Sequence, residues 1–181
     1  INVIYAKPGY FCLDIYWSNY LLNPCGSVKY ISNGEEFKES LYGQLFYYSQ
    51  CIGGRYFFVG LGGYLYEYDW ETNSQTRILD IVCDYYLRSD GTHLFFKSQG
   101  HLYVSDGTSE GTHIALEMGE DRIYGFFSLM GRTYLVTKSG TFLFNSESLS
   151  FVLLNQDSST KSVFHQDDSD YLLGNSLWKT D

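Results

Sequence analysis

Four aspartates, Asp14, Asp84, Asp121 and Asp168, stand on or beside short apolar runs. Two carboxyl groups about 5 to 10 Å apart across a glycosidic bond act as general acid and base, so these four are the candidates for hydrolytic chemistry. No pair is singled out by its spacing, because acids are scattered through a chain that is 18 % charged. His93 and His101 flank one turn while His113 and His165 lie elsewhere, which predicts isolated side chains and no metal triad. Cys12, Cys25, Cys51 and Cys83 lack CxxC spacing, so no zinc site is expected. If residues 10–17 and 18–25 form a hairpin turning near Trp17 and Ser18, Cys12 and Cys25 face one another as a disulfide candidate; buried thiols are the alternative. GxSxG, P-loop, HExxH and dinucleotide fingerprints are absent, and Gly60, Gly62 and Gly63 sit between two apolar runs with no helix following. No catalytic residue, metal or cofactor is therefore predicted.

Binding chemistry is better represented. Trp70 lies beside Glu71, Thr72, Asn73 and Ser74 in a polar stretch, which pairs an aromatic face with groups that hydrogen-bond to hydroxyls or peptide. Trp17, at the end of one apolar run, and Trp178, inside another, complete the ligand-site candidates Trp70, Glu71, Asn73, Trp17 and Trp178. Packing of the Trp70 ring against a neighbouring structural unit is the alternative.

The elements that position these residues follow from composition. Eighteen Tyr, 13 Phe and 18 Gly among 181 residues favour pleated strands cut by turns over helices. The formal net charge of -9 leaves no cation excess to neutralise phosphates, so nucleic acid and anionic membrane are excluded as partners. No apolar stretch reaches the roughly 18 to 20 residues of a membrane-spanning helix, and membrane insertion is not expected. The start INVIYAKPGY lacks the features of a secretory leader, and a processed precursor stays open.

Repetition then sets the architecture. Anchors at Leu21, Phe58, Phe95, Leu135 and Leu172 step by 37, 37, 40 and 37 residues. Each is followed by a second apolar run, such as YLYEYD at 64–69, HLYVSD at 101–106, TFLFNS at 141–146 and SLWKTD at 176–181. With flanking runs, each repeat reads as four short antiparallel strands, which predicts β-propeller blades. The expected repeats cover 8–43, 44–82, 83–118, 119–157 and 158–181 plus 1–7, forming a single domain. Residues 1–5 are expected to complete the last blade and close a five-bladed all-β ring.

VSDGTSEGT at 104–112, preceded by Leu102 and Tyr103, resembles the ELWxxDGTxxGT repeat of many bacterial surface and secreted proteins. Leu65-Tyr66 with Asp69, and Leu177-Trp178 with Asp181, keep part of it; the fourth repeat has Phe142-Leu143 and Asn145, and the first keeps almost nothing. The resemblance implies blades and an extracellular or cell-surface setting, with a soluble intracellular effector as the alternative, and it assigns no activity. Asp106, Gly107 and Thr108 read as a structural turn, since DxDxDG ligand spacing is missing and a calcium site at Asp106, Ser109 and Glu110 is disfavoured. The reading reached is a non-catalytic module that recognises a protein partner through loops and one face. A sugar-binding lectin is second. A hydrolase with channel carboxylates, as in arabinan-cleaving five-bladed propellers, is third.

Overall fold

The computed structural model describes residues 2–7, 10–16, 27–32, 37–39, 48–69, 72, 74–84, 86–129, 131–156, 160, 162–166, 169–174 and 177–180; up to residue 39, and at Leu61, Phe164, Gln166 and Trp178, the description is of the backbone. Every extended element is a β-strand. The first sheet holds β1 (Asn2–Lys7), β2 (Tyr10–Tyr16), β3 (Ser27–Ser32) and β4 (Phe37–Glu39). The second holds β5 (Tyr48–Ile52), β6 (Arg55–Val59), β7 (Tyr64–Asp69) and β8 (Ser74–Val82), with a 3-10 turn at Leu61–Gly63. The third holds β9 (Leu87–Ser89), β10 (Leu94–Ser98), β11 (His101–Ser105) and β12 (Thr112–Glu117). The fourth holds β13 (Ile123–Leu129), β14 (Arg132–Thr137), β15 (Gly140–Asn145) and β16 (Ser150–Asn155). The fifth holds β17 (Ser162–Gln166), β18 (Ser169–Leu173) and β19 (Leu177–Thr180). Each sheet is a meander in chain order, because connections of ten residues or fewer are too short for the crossover that parallel neighbours need.

From the second sheet onward, the second strand of each sheet carries the core. Tyr56, Phe57, Phe58 and Val59 of β6 are all buried, as are Leu94, Phe95 and Phe96 of β10 and Tyr134, Leu135 and Val136 of β14. Consecutive burial means that both faces of these strands are covered, which is why they read as unbroken apolar runs. Outer strands are half exposed: β12 buries Ala115 and leaves Ile114 open, and β16 buries Phe151 against Phe144 while leaving Val152 open.

The chain divides into two compact units, Ile1–Phe96 with Ser105–Gly111, and Lys97–Val104 with Thr112–Asp181. In the first, side chains of β6 and β7 and of β9 and the start of β10 form the core, with Leu65, Leu87 and Phe95 fully buried. In the second, Leu102, Leu135 and Leu172 are fully buried on β11, β14 and β18.

Two expectations are corrected. Residues 1–5 do not complete the last sheet: β1 pairs with β2, setting Ile4 opposite Cys12 and Asn2 opposite Asp14, and the fifth sheet has three strands. The physical reason is local, since only Pro8 and Gly9 separate β1 from β2, and a short link closes a hairpin at little entropic cost. The proposed hairpin of 10–17 with 18–25 is also replaced. β2 pairs with β3, and Cys12 stands opposite Ile31. Cys25 lies outside the described residues. The anchor at Leu21 likewise lies outside them.

Candidate functional site

Two turns share one hydrogen-bond plan. At Ser105–Thr108, the Asp106 carboxylate accepts the backbone N–H of Thr108 at 2.8 Å and its hydroxyl at 2.7 Å, while the Gly107 N–H donates to Ser105 Oγ at 3.0 Å. At Ser89–Thr92, Asp90 accepts the Thr92 N–H and hydroxyl, each at 2.8 Å, and the Gly91 N–H donates to Ser89 Oγ at 2.9 Å. The sequence reading found only the first, because it searched for a Gly-Thr pair downstream that the second lacks. Thr108 holds the Asp106 carboxyl below the usual carboxylate range. Burial opposes the charge on Asp90, yet the His93 and Thr92 donors outweigh it and lower that carboxyl too. Carboxylates engaged in this way are turn staples.

Arg55 ties one of these turns to the second sheet. Its guanidinium donates to both Glu67 oxygens, at 2.7 and 2.8 Å, and to the Gly107 carbonyl at 3.1 Å, while lying 4.9 Å from the centre of the Phe57 ring. The bond to Glu67 raises its pKa, which keeps the clamp charged.

Asp170, 1 % exposed, is the most buried carboxylate of the described residues. Its oxygens accept from Tyr134 Oη and lie 2.7 Å from His165 Nδ1 and 3.5 Å from an Arg132 nitrogen. Desolvation works against the charge, but the Tyr134 and His165 hydrogen bonds and the Arg132 charge prevail and lower the Asp170 pKa. Burial, and the bond to Asp170, raise that of Tyr134. These groups satisfy one another and join β14 to β17 and β18.

The other candidates do not assemble. Trp17, Trp70, Glu71, Asn73 and Asp168 lie outside the described residues, and Trp178 is placed by backbone alone, opposite Leu172. Asp14 stands in β2 opposite Asn2 and Lys29, while Asp84 is exposed beyond the end of β8. His93, His101 and His165 each approach a different carboxylate, those of Asp90, Glu117 and Asp170, and His113 is exposed. Among the described residues no group of three His, Cys, Asp or Glu could hold a metal ion. Cys83 is buried, which pushes its thiol up to about 12 and makes it inert.

Asp121 lines a cavity. It is an open cleft of about 620 Å³ within the second unit, where the link from β12 to β13 meets the turn from β14 to β15. Asp121 builds the wall: one oxygen accepts the Arg122 N–H at 2.9 Å and the other the Ser139 N–H at 3.2 Å, while Lys97 Nζ donates to its carbonyl at 3.0 Å. Burial opposes its ionisation, but the Ser139 and Thr137 donors lower its pKa. Around it stand Met118, Glu120, Arg122, Tyr124 and Lys138.

Tyr124 is aimed by backbone geometry. Ile123 pairs with Thr137 and Gly125 with Val136, so Tyr124 is the extra residue of a β-bulge, and it is 57 % exposed. Bulges turn a side chain out of the pleat and are frequent beside functional sites. Sequence reading missed Arg122, Tyr124 and Lys138; the available signal was the charged residues Asp121, Arg122 and Lys138, which fall at the same end of the β13–β14 hairpin.

No family model matches the chain, and no curated protein matches its sequence. Solved structures do match its fold. The extracellular domain of BT4673 from B. thetaiotaomicron superposes with TM-score 0.61 and 11 % identity over 98 % of this chain and 27 % of that one. PorZ, a surface component of the type-IX secretion system of Porphyromonas gingivalis, gives 0.54 and 12 % over 99 % and 26 %. The extracellular domain of BT3049 from B. thetaiotaomicron gives 0.53 and 10 % over 99 % and 33 %. The fold is all-β, built of antiparallel sheets. The chain spans about a quarter to a third of the length of these structures, and likeness at this identity speaks to fold alone.

Proposed function

We propose that the chain is a non-catalytic, propeller-type binding module of an extracellular or cell-surface protein, its five sheets acting as blades of one domain, and that it recognises a protein partner. The observation that carries this reading is Tyr124, raised on a bulge in a cavity of about 620 Å³ and flanked by Arg122 and Lys138. An exposed aromatic beside charged groups is the composition of a recognition patch. The likeness to extracellular domains and a surface component supports the setting. The dispersed carboxylates support a non-catalytic role: Asp121, the one carboxylate among the four candidates that lines the cavity, has both oxygens engaged by backbone donors.

Pull-down with the immobilised chain, run beside a glycan array, tests the proposal. A stoichiometric protein complex weakened by Tyr124→Ala supports it. Glycan binding that Trp70→Ala abolishes overturns it in favour of a lectin built on Trp70, Glu71, Asn73, Trp17 and Trp178. Release of reducing sugar lost in Asp14→Asn or Asp84→Asn overturns it in favour of a hydrolase.

A further inference from the structure

The donor and acceptor inventory of the cavity is lopsided. Arg122 offers five N–H donors and Lys138 three, while the Ser139 side chain already hydrogen-bonds Asp121. Against these stand Glu120 and Asp121, whose two oxygens each accept one backbone N–H and keep further lone pairs. No ion pair engages Arg122 or Lys138 among the described residues, and both side chains belong to exposed positions. Lys97 adds a third positive charge behind the wall, on the Asp121 carbonyl. Three cations thus meet two carboxylates at this spot, a local reversal of sign on a chain whose net charge is -9. Beside them, the Tyr124 ring and the buried Met118 provide an apolar surface, and a thioether adapts to side chains of varied shape.

We propose that this cavity receives an acidic side chain from an extended segment of the partner protein. Its carboxylate sits between Arg122 and Lys138, and the neighbouring apolar side chain lies on Tyr124 and Met118. The inference rests on the binding-module reading and specifies the partner's chemistry. Charge complementarity selects the occupant, since a ligand for a donor-rich wall must be rich in acceptors, and charge-assisted bonds to guanidinium and ammonium are the strong ones. A neutral sugar is disfavoured on the same inventory. Its hydroxyls both donate and accept, whereas among the described residues the wall holds no Asn or Gln and its two carboxylates are outnumbered by Arg122, Lys138 and Lys97. Asp121 is the positioning residue, because its carboxylate ties the backbone N–H groups of Arg122 and Ser139 to one point of the wall.

The test is a titration of the isotopically labelled chain followed by amide chemical shifts, with acetyl-Asp-Phe-amide, acetyl-Asn-Phe-amide and glucuronate as probes at up to about 10 mM, a range suited to weak fragment affinity. Acetyl-Asp-Phe-amide is expected to shift Arg122, Tyr124 and Ser139. The asparagine isostere is expected to bind at least about fivefold more weakly, and the aspartyl probe to weaken as sodium chloride rises from about 0.05 to 0.5 M. Arg122→Gln with Lys138→Gln abolishes the shifts, and Lys179→Gln, an exposed cation away from the cavity, leaves them intact. Equal binding of both peptides, or retention by the double variant, overturns the inference; tighter binding of glucuronate replaces the peptide with an acidic glycan. A protein complex that survives the double variant removes this inference and leaves the binding module standing, whereas absence of any protein complex removes the module itself.

Discussion

Asp170 shows how much a single buried charge holds in this chain. Its carboxylate accepts from Tyr134 and His165 and faces Arg132, so an amide in its place leaves one uncharged acceptor oxygen for three polar groups of β14 and β17 and turns an NH2 donor toward them. Asp170→Asn is expected to cost about 3 kcal/mol in urea unfolding at pH 7, the scale for breaking a buried ionic contact. The folded-state pKa of Asp170 is lowered, so its contribution is complete above the unfolded value of about 3.9 and is lost as pH falls through the lower folded value. Wild type therefore loses stability below about pH 4 by an increment that Asp170→Asn lacks; parallel acid profiles for the two proteins defeat the assignment. The two Ser-Asp-Gly-Thr turns offer a matched pair at the same scale. Gly91 and Gly107 both take φ near +90°, at +95° and +88°. A Cβ on Gly91 meets open space, whereas one on Gly107 overlaps the Phe57 ring. Gly91→Ala is expected to cost about 1 kcal/mol of backbone strain, and Gly107→Ala about 1 to 3 kcal/mol more for the forced shift of Phe57. Equal midpoints in denaturant for the two variants contradict this account.

At the scale of the element, the strands most legible in the sequence are those buried on both faces. The anchors Phe58, Phe95, Leu135 and Leu172 fall in β6, β10, β14 and β18, because a strand covered on both sides needs an unbroken apolar run and has no amphipathic alternative. Strands with one covered face are less legible: β9 covers Leu87–Ser89 alone and buries only Leu87, too short a run to carry a pattern. The bulge at Tyr124 had no sequence mark, because RIYGFFSL reads as a regular strand and register is decided by pairing with β14. That register is testable. Deleting Tyr124 removes the extra residue and restores regular pairing of Ile123 and Gly125 with β14, so the variant is expected to keep wild-type stability within about 1 kcal/mol while losing partner binding. A loss of several kcal/mol in thermal unfolding, with binding intact per folded molecule, refutes the claim that the bulge exists to aim the ring.

For the molecule as a whole, the repeat period conveyed the number of sheets but misjudged what the first strand does. A period reports equivalence between segments, and a segment preceding the first repeat carries no such label; its partner is settled by chain entropy, which favours the strand two residues away. The cavity escaped the sequence for a related reason, since its wall joins residues 118–124 to 138–139 through the antiparallel return of β14. Pairing of β1 with β2 makes an unequal prediction for the two compact units. Removing residues 1–7 strips β2 of its partner opposite Cys12, Leu13 and Asp14, while every pairing of β17, β18 and β19 remains. Amide hydrogen exchange is expected to rise at alternate residues of 10–16, whose N–H groups lose their acceptors, and to stay at wild-type rates in 169–173 and 177–180. Faster exchange in 177–180 after the truncation would show instead that the N-terminal strand serves the fifth sheet, because only a strand lying against β19 can protect those amides by leaving and returning with residues 1–7.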